Sequence, residues 1–132
     1  MNIYFTAAIA QKEEYGKHYE QIIAILQKLG HEVVHQHITK RSLDDIKQYS
    51  EEHNIEHYKQ VQRWISDADI VIAEASFPST LNIGHEVTIA LEKGKPVICL
   101  YFKDKFSTFF QSIKSEKFVY EEYTPQTLEK VL

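Results

Sequence analysis

One carboxylate stands where α/β proteins place their chemistry. Glu86 closes the stretch 69–86, in which an apolar run passes through a turn carrying Ser76, Pro78, Ser79 and Asn82 and enters a helical pattern at Gly84-His85-Glu86. A buried strand that delivers a polar loop to a helix start is how such folds build sites for phosphates and sugars. The pattern places Glu86 in the first helical turn, facing that crevice, and makes Asn82 the helix N-cap. A helix N-terminus favours a negative charge by a few tenths to ~1 kcal/mol. From position alone, Glu86 either complements the helix dipole or acts on a substrate. Three histidines lie close together, and His35 with His37 would share one side of a strand as a possible metal pair. No spacing here matches a zinc motif, so ordinary strand-end histidines are the stronger reading. Phe102, Phe106, Phe109 and Phe110 could wall a ligand or an interface, although aromatics at helical spacing usually pack in a core.

The elements that must position Glu86 follow from the changes in hydrophobic period. Residues 3–6 are apolar without alternation and read as a central parallel strand, which places Ala7 and Ile9 just past its carboxyl end. Over 13–29, Tyr15, Tyr19, Ile22, Ile23, Leu26 and Leu29 recur at three- and four-residue steps, and Gly30 follows at the stop position of a helix. Residues 31–35 form a second short strand. Ser42 with Asp45 reads as a capping box, and the polar residues up to Asn54 as an exposed helix or a mobile lid. Tyr58, Val61, Ile65 and Ala68 then fall on one helical stripe with Trp64 beside it. Strands follow at 70–73, 96–102 and 118–120, helices at 83–93 and from Thr124-Pro125, with Pro125 as first helical residue. Strands alternating with helices predict an α/β fold: a doubly wound, flavodoxin-like or Rossmann-like five-stranded parallel sheet with helices on both faces. The site would lie where strands one and three splay apart.

Composition narrows the function classes. The 132 residues are 43% hydrophobic and 26% charged, as expected of one globular domain over 1–132. A net charge of -4 and the lack of a basic patch argue against a nucleic-acid polymer as partner. No apolar run has the roughly 18 residues of a membrane span, and no signal peptide opens the chain, so no membrane partner is expected. The single cysteine, Cys99, reads as a small buried hydrophobe in a cytoplasmic protein.

The order Ile3-Tyr4-Phe5-Thr6-Ala7-Ala8-Ile9, a Trp64-containing helix ending in Ala68-Asp69, then Ala73-Glu74-x-Ser76-x-Pro78-Ser79 and Gly84-x-Glu86, resembles the nucleoside 2-deoxyribosyltransferase superfamily. It is especially similar to the 2′-deoxynucleoside 5′-monophosphate N-glycosidases. The resemblance implies that Glu86 is the nucleophile attacking the anomeric carbon of the deoxyribose, with Tyr4 beside it and Ser79 on the 5′-phosphate. Read from the residues themselves, Ser79 equally caps a turn and Tyr4 equally packs a core. Ala7, Ile9, Asn82 and Gly84 would complete the substrate site. The family's catalytic acid stands at the position of Val61, which cannot transfer a proton. His57 and His85 are the nearest replacements, although each also reads as an ordinary surface or capping histidine. The family's Gly-Ser-Ile-Arg-like phosphate loop is Ala7-Ala8-Ile9-Ala10 here, without hydroxyl or guanidinium, which leaves Lys12 as the nearby charge. Ser115 lies near the position of a serine that a neighbouring subunit would bring to the phosphate. No cofactor or metal is implied, and the expected partners are a nucleoside or nucleotide and a second copy in a homodimer or larger assembly.

The expected activity is cleavage of, or transfer across, the N-glycosidic bond of a 2′-deoxynucleoside or its 5′-monophosphate. The alternative is a nucleotide-binding or sensing domain that has lost the acid, which Val61 favours. A flavodoxin-like interaction module is a third reading with no residue speaking for it.

Overall fold

The computed structural model describes residues 1–79 and 81–132. Five parallel strands, β1 (Asn2–Ala7), β2 (Glu32–Val34), β3 (Ile70–Glu74), β4 (Val97–Phe102) and β5 (Phe118–Tyr123), stand in the order β2-β1-β3-β4-β5. The predicted α/β sheet is therefore present. The chain leaves β1 for β2 on one side and later returns to place β3 on the other, which makes the carboxyl ends of β1 and β3 a topological switch point. In register, Tyr4 stands opposite Val71 and Ala7 opposite Glu74.

Strand alternation sorts the residues of β1 between two cores. Ile3, Phe5 and Ala7 face α1 (Lys12–Lys28), which contributes Tyr15, Tyr19, Ile22, Ile23 and Leu26. Tyr4 lies on the opposite face, with Val61 and Ile65 of α4 (Glu51–Asp67) and Ile83, Val87 and Ala90 of α5 (Leu81–Glu92). Thr6 follows Tyr4 by one strand repeat and shares that face. Gly30, at φ 92°, takes the left-handed turn that ends α1 and releases the chain into β2.

Between β2 and α4 the polar segment forms α2 (Gln36–Thr39) and α3 (Leu43–Gln48). The predicted capping box is present: Asp45 N–H donates to Ser42 Oγ at 3.1 Å and Ser42 N–H to Asp45 Oδ2 at 2.9 Å. Ser50 caps α4, accepting from His53 N–H at 3.1 Å, so this helix starts a turn before the point where the apolar period becomes visible.

Two expectations at the carboxyl-terminal end are corrected. Of the two readings of Phe102, Phe106, Phe109 and Phe110, the single wall is not formed: Phe102 ends β4, and the segment after it is helical only in α6 (Thr108–Gln111). Phe110 is buried against Phe118, Phe109 is 81% exposed, and Phe102 packs on the other face against His18 and Tyr15. The final helix is α7 (Leu128–Val131), and Pro125 precedes it in a turn closed by Thr124 N–H donating to Thr127 Oγ1 at 2.8 Å. Cys99 is fully buried in β4, and burial pushes its thiol pKa up, as expected of a packing residue. Among the described residues no helix is long and apolar enough to cross a membrane.

Candidate active site

A cleft of about 440 Å³ opens at the switch point between β1 and β3. That is within the range of small-molecule sites. Its floor is the end of β1, its walls are α4 and α5, and α2 and α3 roof it with Ile38, Leu43 and Ile46. Among the described lining residues, Glu86 is the sole carboxylate and Arg41 the sole permanent cation.

Glu86 sits on the face of α5 that otherwise carries Ile83, Val87 and Ala90, so the helix period drives a carboxylate into the core. The sheet answers it with two donors. Tyr4 Oη–H donates to one carboxylate oxygen, and Thr6 Oγ1–H donates to the other at 2.9 Å. Burial pushes the Glu86 pKa above the usual carboxylate range, while these two donors and the nearby His85 and Arg41 pull the other way. Tyr4 is wholly buried, and burial followed by the charge of Glu86 holds its phenol firmly protonated. Its ring stacks on His37, with centroids 5.0 Å apart and planes 7° apart, and Trp64 lies beyond at 6.2 Å. Tyr4 therefore aims its hydroxyl from a fixed ring.

The described part of the loop that leads from β3 towards α5 is anchored by a second buried carboxylate. Glu74 accepts from Ser76 N–H at 2.7 Å, from Ser76 Oγ–H at 2.9 Å and from the Tyr123 hydroxyl. Phe102 N–H donates to Ser76 Oγ at 2.9 Å. Burial raises the Glu74 pKa against the pull of these bonds. Glu74 lies outside the cleft lining and ties three strand ends together.

The residues expected at the site divide. Glu86, Ala7, Ile9, Asn82, His57 and His85 line the cleft, and Tyr4 lies directly behind Glu86. Gly84 and Ser79 are not in the lining. The Ser79 hydroxyl is buried with no hydrogen-bond partner among the described residues. Four placements are corrected. Asn82 is the second residue of α5 and not its N-cap, because the helix already begins at Leu81. Glu86 consequently stands in the second turn, where the helix dipole contributes less and the two side-chain donors carry the stabilisation. Lys12 is no substitute for a phosphate-loop cation, because its ammonium donates to the carbonyls of Thr39 and Arg41 at 3.0 Å each. His35 and His37 do not form a pair along a strand. His35 follows β2 and contacts Thr39 Oγ1 at 3.0 Å through Nδ1, whereas His37 is in α2 against Tyr4. Ser115 lies in a separate surface depression with Tyr101 and Tyr120.

Three participants were not anticipated. Thr6 was readable in principle, because a residue two positions after Tyr4 on a strand shares its face. Arg41 donates through Nε to the His37 carbonyl at 2.7 Å and otherwise lines the cleft. It carries no local signal beyond being one of the two arginines. Tyr58, expected on the core stripe, is 46% exposed at the cleft and contacts His85 Nε2 through its hydroxyl at 2.7 Å. His37 and His57 are neutral at pH 7: burial first and then the charge of Arg41 lower their pKa values to about 3 and about 4.

No protein-family model matches the chain. It is 32% identical over 101 residues to the protein named 2′-deoxynucleoside 5′-phosphate N-hydrolase 1 of Syntrophotalea carbinolica, an alignment covering 76% of this chain and 68% of that one. Solved structures share the fold, two of them as follows. The CMP N-glycosidase of Clostridium botulinum superposes with a TM-score of 0.71 at 21% identity, over 99% of this chain and 97% of its own. The 2-deoxyribosyltransferase of Bacillus psychrosaccharolyticus does so with a TM-score of 0.68 at 20% identity, over 98% and 90%. The sequence match and the shared fold agree with the Tyr4–Glu86 cleft at the switch point: the chain belongs to the nucleoside 2-deoxyribosyltransferase superfamily, in its branch of 2′-deoxynucleoside 5′-phosphate N-hydrolases.

Proposed function

We propose that this protein cleaves the N-glycosidic bond of a 2′-deoxynucleoside 5′-monophosphate, or transfers its deoxyribosyl group, through a covalent ester on Glu86. The observation that carries the reading is the Glu86 carboxylate, alone among the described cleft residues in its charge and gripped from β1 by Tyr4 and Thr6. Two donors orient the carboxylate and favour its ionised form, which a nucleophile requires. Attack at C1′ releases the base, and water or a second base then resolves the ester with net retention. Arg41 is the group available to the 5′-phosphate, since its Nε is engaged by a backbone carbonyl while its terminal nitrogens make no hydrogen bond to a described residue. A homodimer, as the resemblance implies, belongs to the same proposal and is measured by light scattering.

The test is chromatographic detection of free base after incubation with a panel of deoxynucleosides and their monophosphates. Base release is expected, and Glu86→Ala should reduce it by ~10³-fold or more, the scale on which loss of a nucleophile acts. Val61, 7% exposed and lining the cleft where the resemblance calls for an acid, favours a second reading as a nucleotide-binding domain without turnover. Calorimetric binding without base release would select that reading.

A further inference from the structure

Breaking a C1′–N bond leaves an electron pair on the departing base, and that base leaves readily only if it is protonated as it goes. The cleft has no second carboxylic acid among its described residues to supply the proton. Tyr4 spends its hydrogen on Glu86. His37 and His57 are held neutral by burial and by Arg41, so neither stores a proton at pH 7. The cleft offers one other acidic group, and it is a pair: the Tyr58 hydroxyl and His85 Nε2, 2.7 Å apart with their rings stacked 5.6 Å apart, bridging α4 and α5. Tyr58 is one turn from Val61 along α4, and His85 is adjacent to Glu86 in α5. Both line the cleft and both are exposed, so bulk water can recharge them.

We propose that Tyr58, supplied by His85, is the proton donor to the leaving base; the assignment rests on the reading of Glu86 as nucleophile. As Glu86 attacks C1′ and the glycosidic bond breaks, its electron pair goes to the base nitrogen. The Tyr58 hydroxyl proton follows to the base, and the His85 imidazolium returns a proton to the Tyr58 oxygen. The products are free base, neutral His85 and the Glu86 ester. In the second half, water attacks C1′, the ester bond breaks and Glu86 regains its charge. The proton lost by water passes through Tyr58 to His85, which restores both groups. Tyr58 would touch the base, whereas His85 acts through it. The charged and titratable groups around the pair are Glu86 on α5, His57 on α4, and His37 and Arg41 from the α2 side.

Leaving-group dependence tests the assignment. Wild type, Tyr58→Phe and His85→Gln are compared on a natural deoxynucleoside monophosphate and on 4-nitrophenyl 2-deoxyriboside 5-phosphate, whose leaving group needs no proton. Each variant should lose ~10²-fold or more in kcat on the nucleotide, the range of general acid catalysis, and far less on the nitrophenyl glycoside. Equal losses on both substrates would mark a structural role and overturn the proposal, as would unchanged kcat on the nucleotide. If Glu86→Ala still cleaves both substrates, the reading of the nucleophile fails instead. A wild type that cleaves neither substrate overturns both.

Discussion

Glu86 is the residue on which the proposed chemistry and the stability of this protein meet. Its folded pKa is raised by burial, so between its ordinary value and the folded one the native state keeps a proton that the unfolded chain releases. Stability therefore falls as pH rises through that window, and above it the buried charge is a constant cost. Glu86→Gln has no such proton to lose. Its melting temperature should rise above that of the wild type as pH goes from acid to neutral and hold a constant lead beyond, as differential scanning calorimetry across pH would read. A lead that shrank with rising pH would contradict the sign. Arg41 makes the second argument at this scale. If its terminal nitrogens hold the phosphate, Arg41→Ala should raise KM for a monophosphate by about 10- to 100-fold, the scale of a charged hydrogen bond, and leave KM for the free nucleoside almost unchanged. Of these two residues only Glu86 was legible in the sequence, because the Gly84-x-Glu86 motif and the strand–loop–helix-start pattern converge on it. Arg41 reaches the cleft through tertiary folding of a polar segment that has no apolar period to announce it.

At the scale of elements, the cleft depends on which face each one turns inward. β1 supplies Tyr4 and Thr6 to the same side because strand alternation repeats every second residue, and α5 returns Glu86 on its buried stripe. These placements follow from periodicity, which is why β1, α1, α4, β3 and β4 were readable before any coordinates. The boundaries were less so. α5 starts at Leu81, ahead of the polar turn residue that looked like its cap, and that shift moves Glu86 from the first turn to the second. Asn, which is favoured at N-caps, is also tolerated in a first helical turn, so its residue type alone does not fix the helix start. α3 is the converse case: its capping box was legible and is present, and its Leu43 and Ile46 line the cleft roof. Ser42→Ala should cost about 1 kcal/mol of local stability. The expected outcome is faster amide exchange across α3 and a raised KM, with kcat close to wild type. A drop in kcat alone would place Ser42 in a different role.

At the scale of the molecule, the parallel sheet is covered on both faces, and its strand order makes one crevice where the connections diverge. The clamp of Glu74 on Ser76 and Tyr123 fixes the carboxyl ends of β3 and β5 and the start of the loop between β3 and α5. The architecture was legible because alternating strand and helix patterns admit few topologies. Of the roof over the cleft, α3 was legible through its capping box, whereas α2, a single short turn without a capping signal, was not, and neither were the placements of Phe102 and Phe110. Spacing alone left a shared wall and core packing both open, and the fold separates Phe102 and Phe110 onto opposite sides of the sheet. The covalent role of Glu86 is the central claim of this account. It is tested most directly by rapid acid quench of the enzyme with a deoxynucleoside monophosphate, followed by intact-mass and peptide mass spectrometry. The account predicts a deoxyribosyl-phosphate adduct on the peptide carrying Glu86, formed in the first turnover and absent from Glu86→Ala. Free base released in the first turnover with no adduct on Glu86, or release by Glu86→Ala at the wild-type rate, would contradict it.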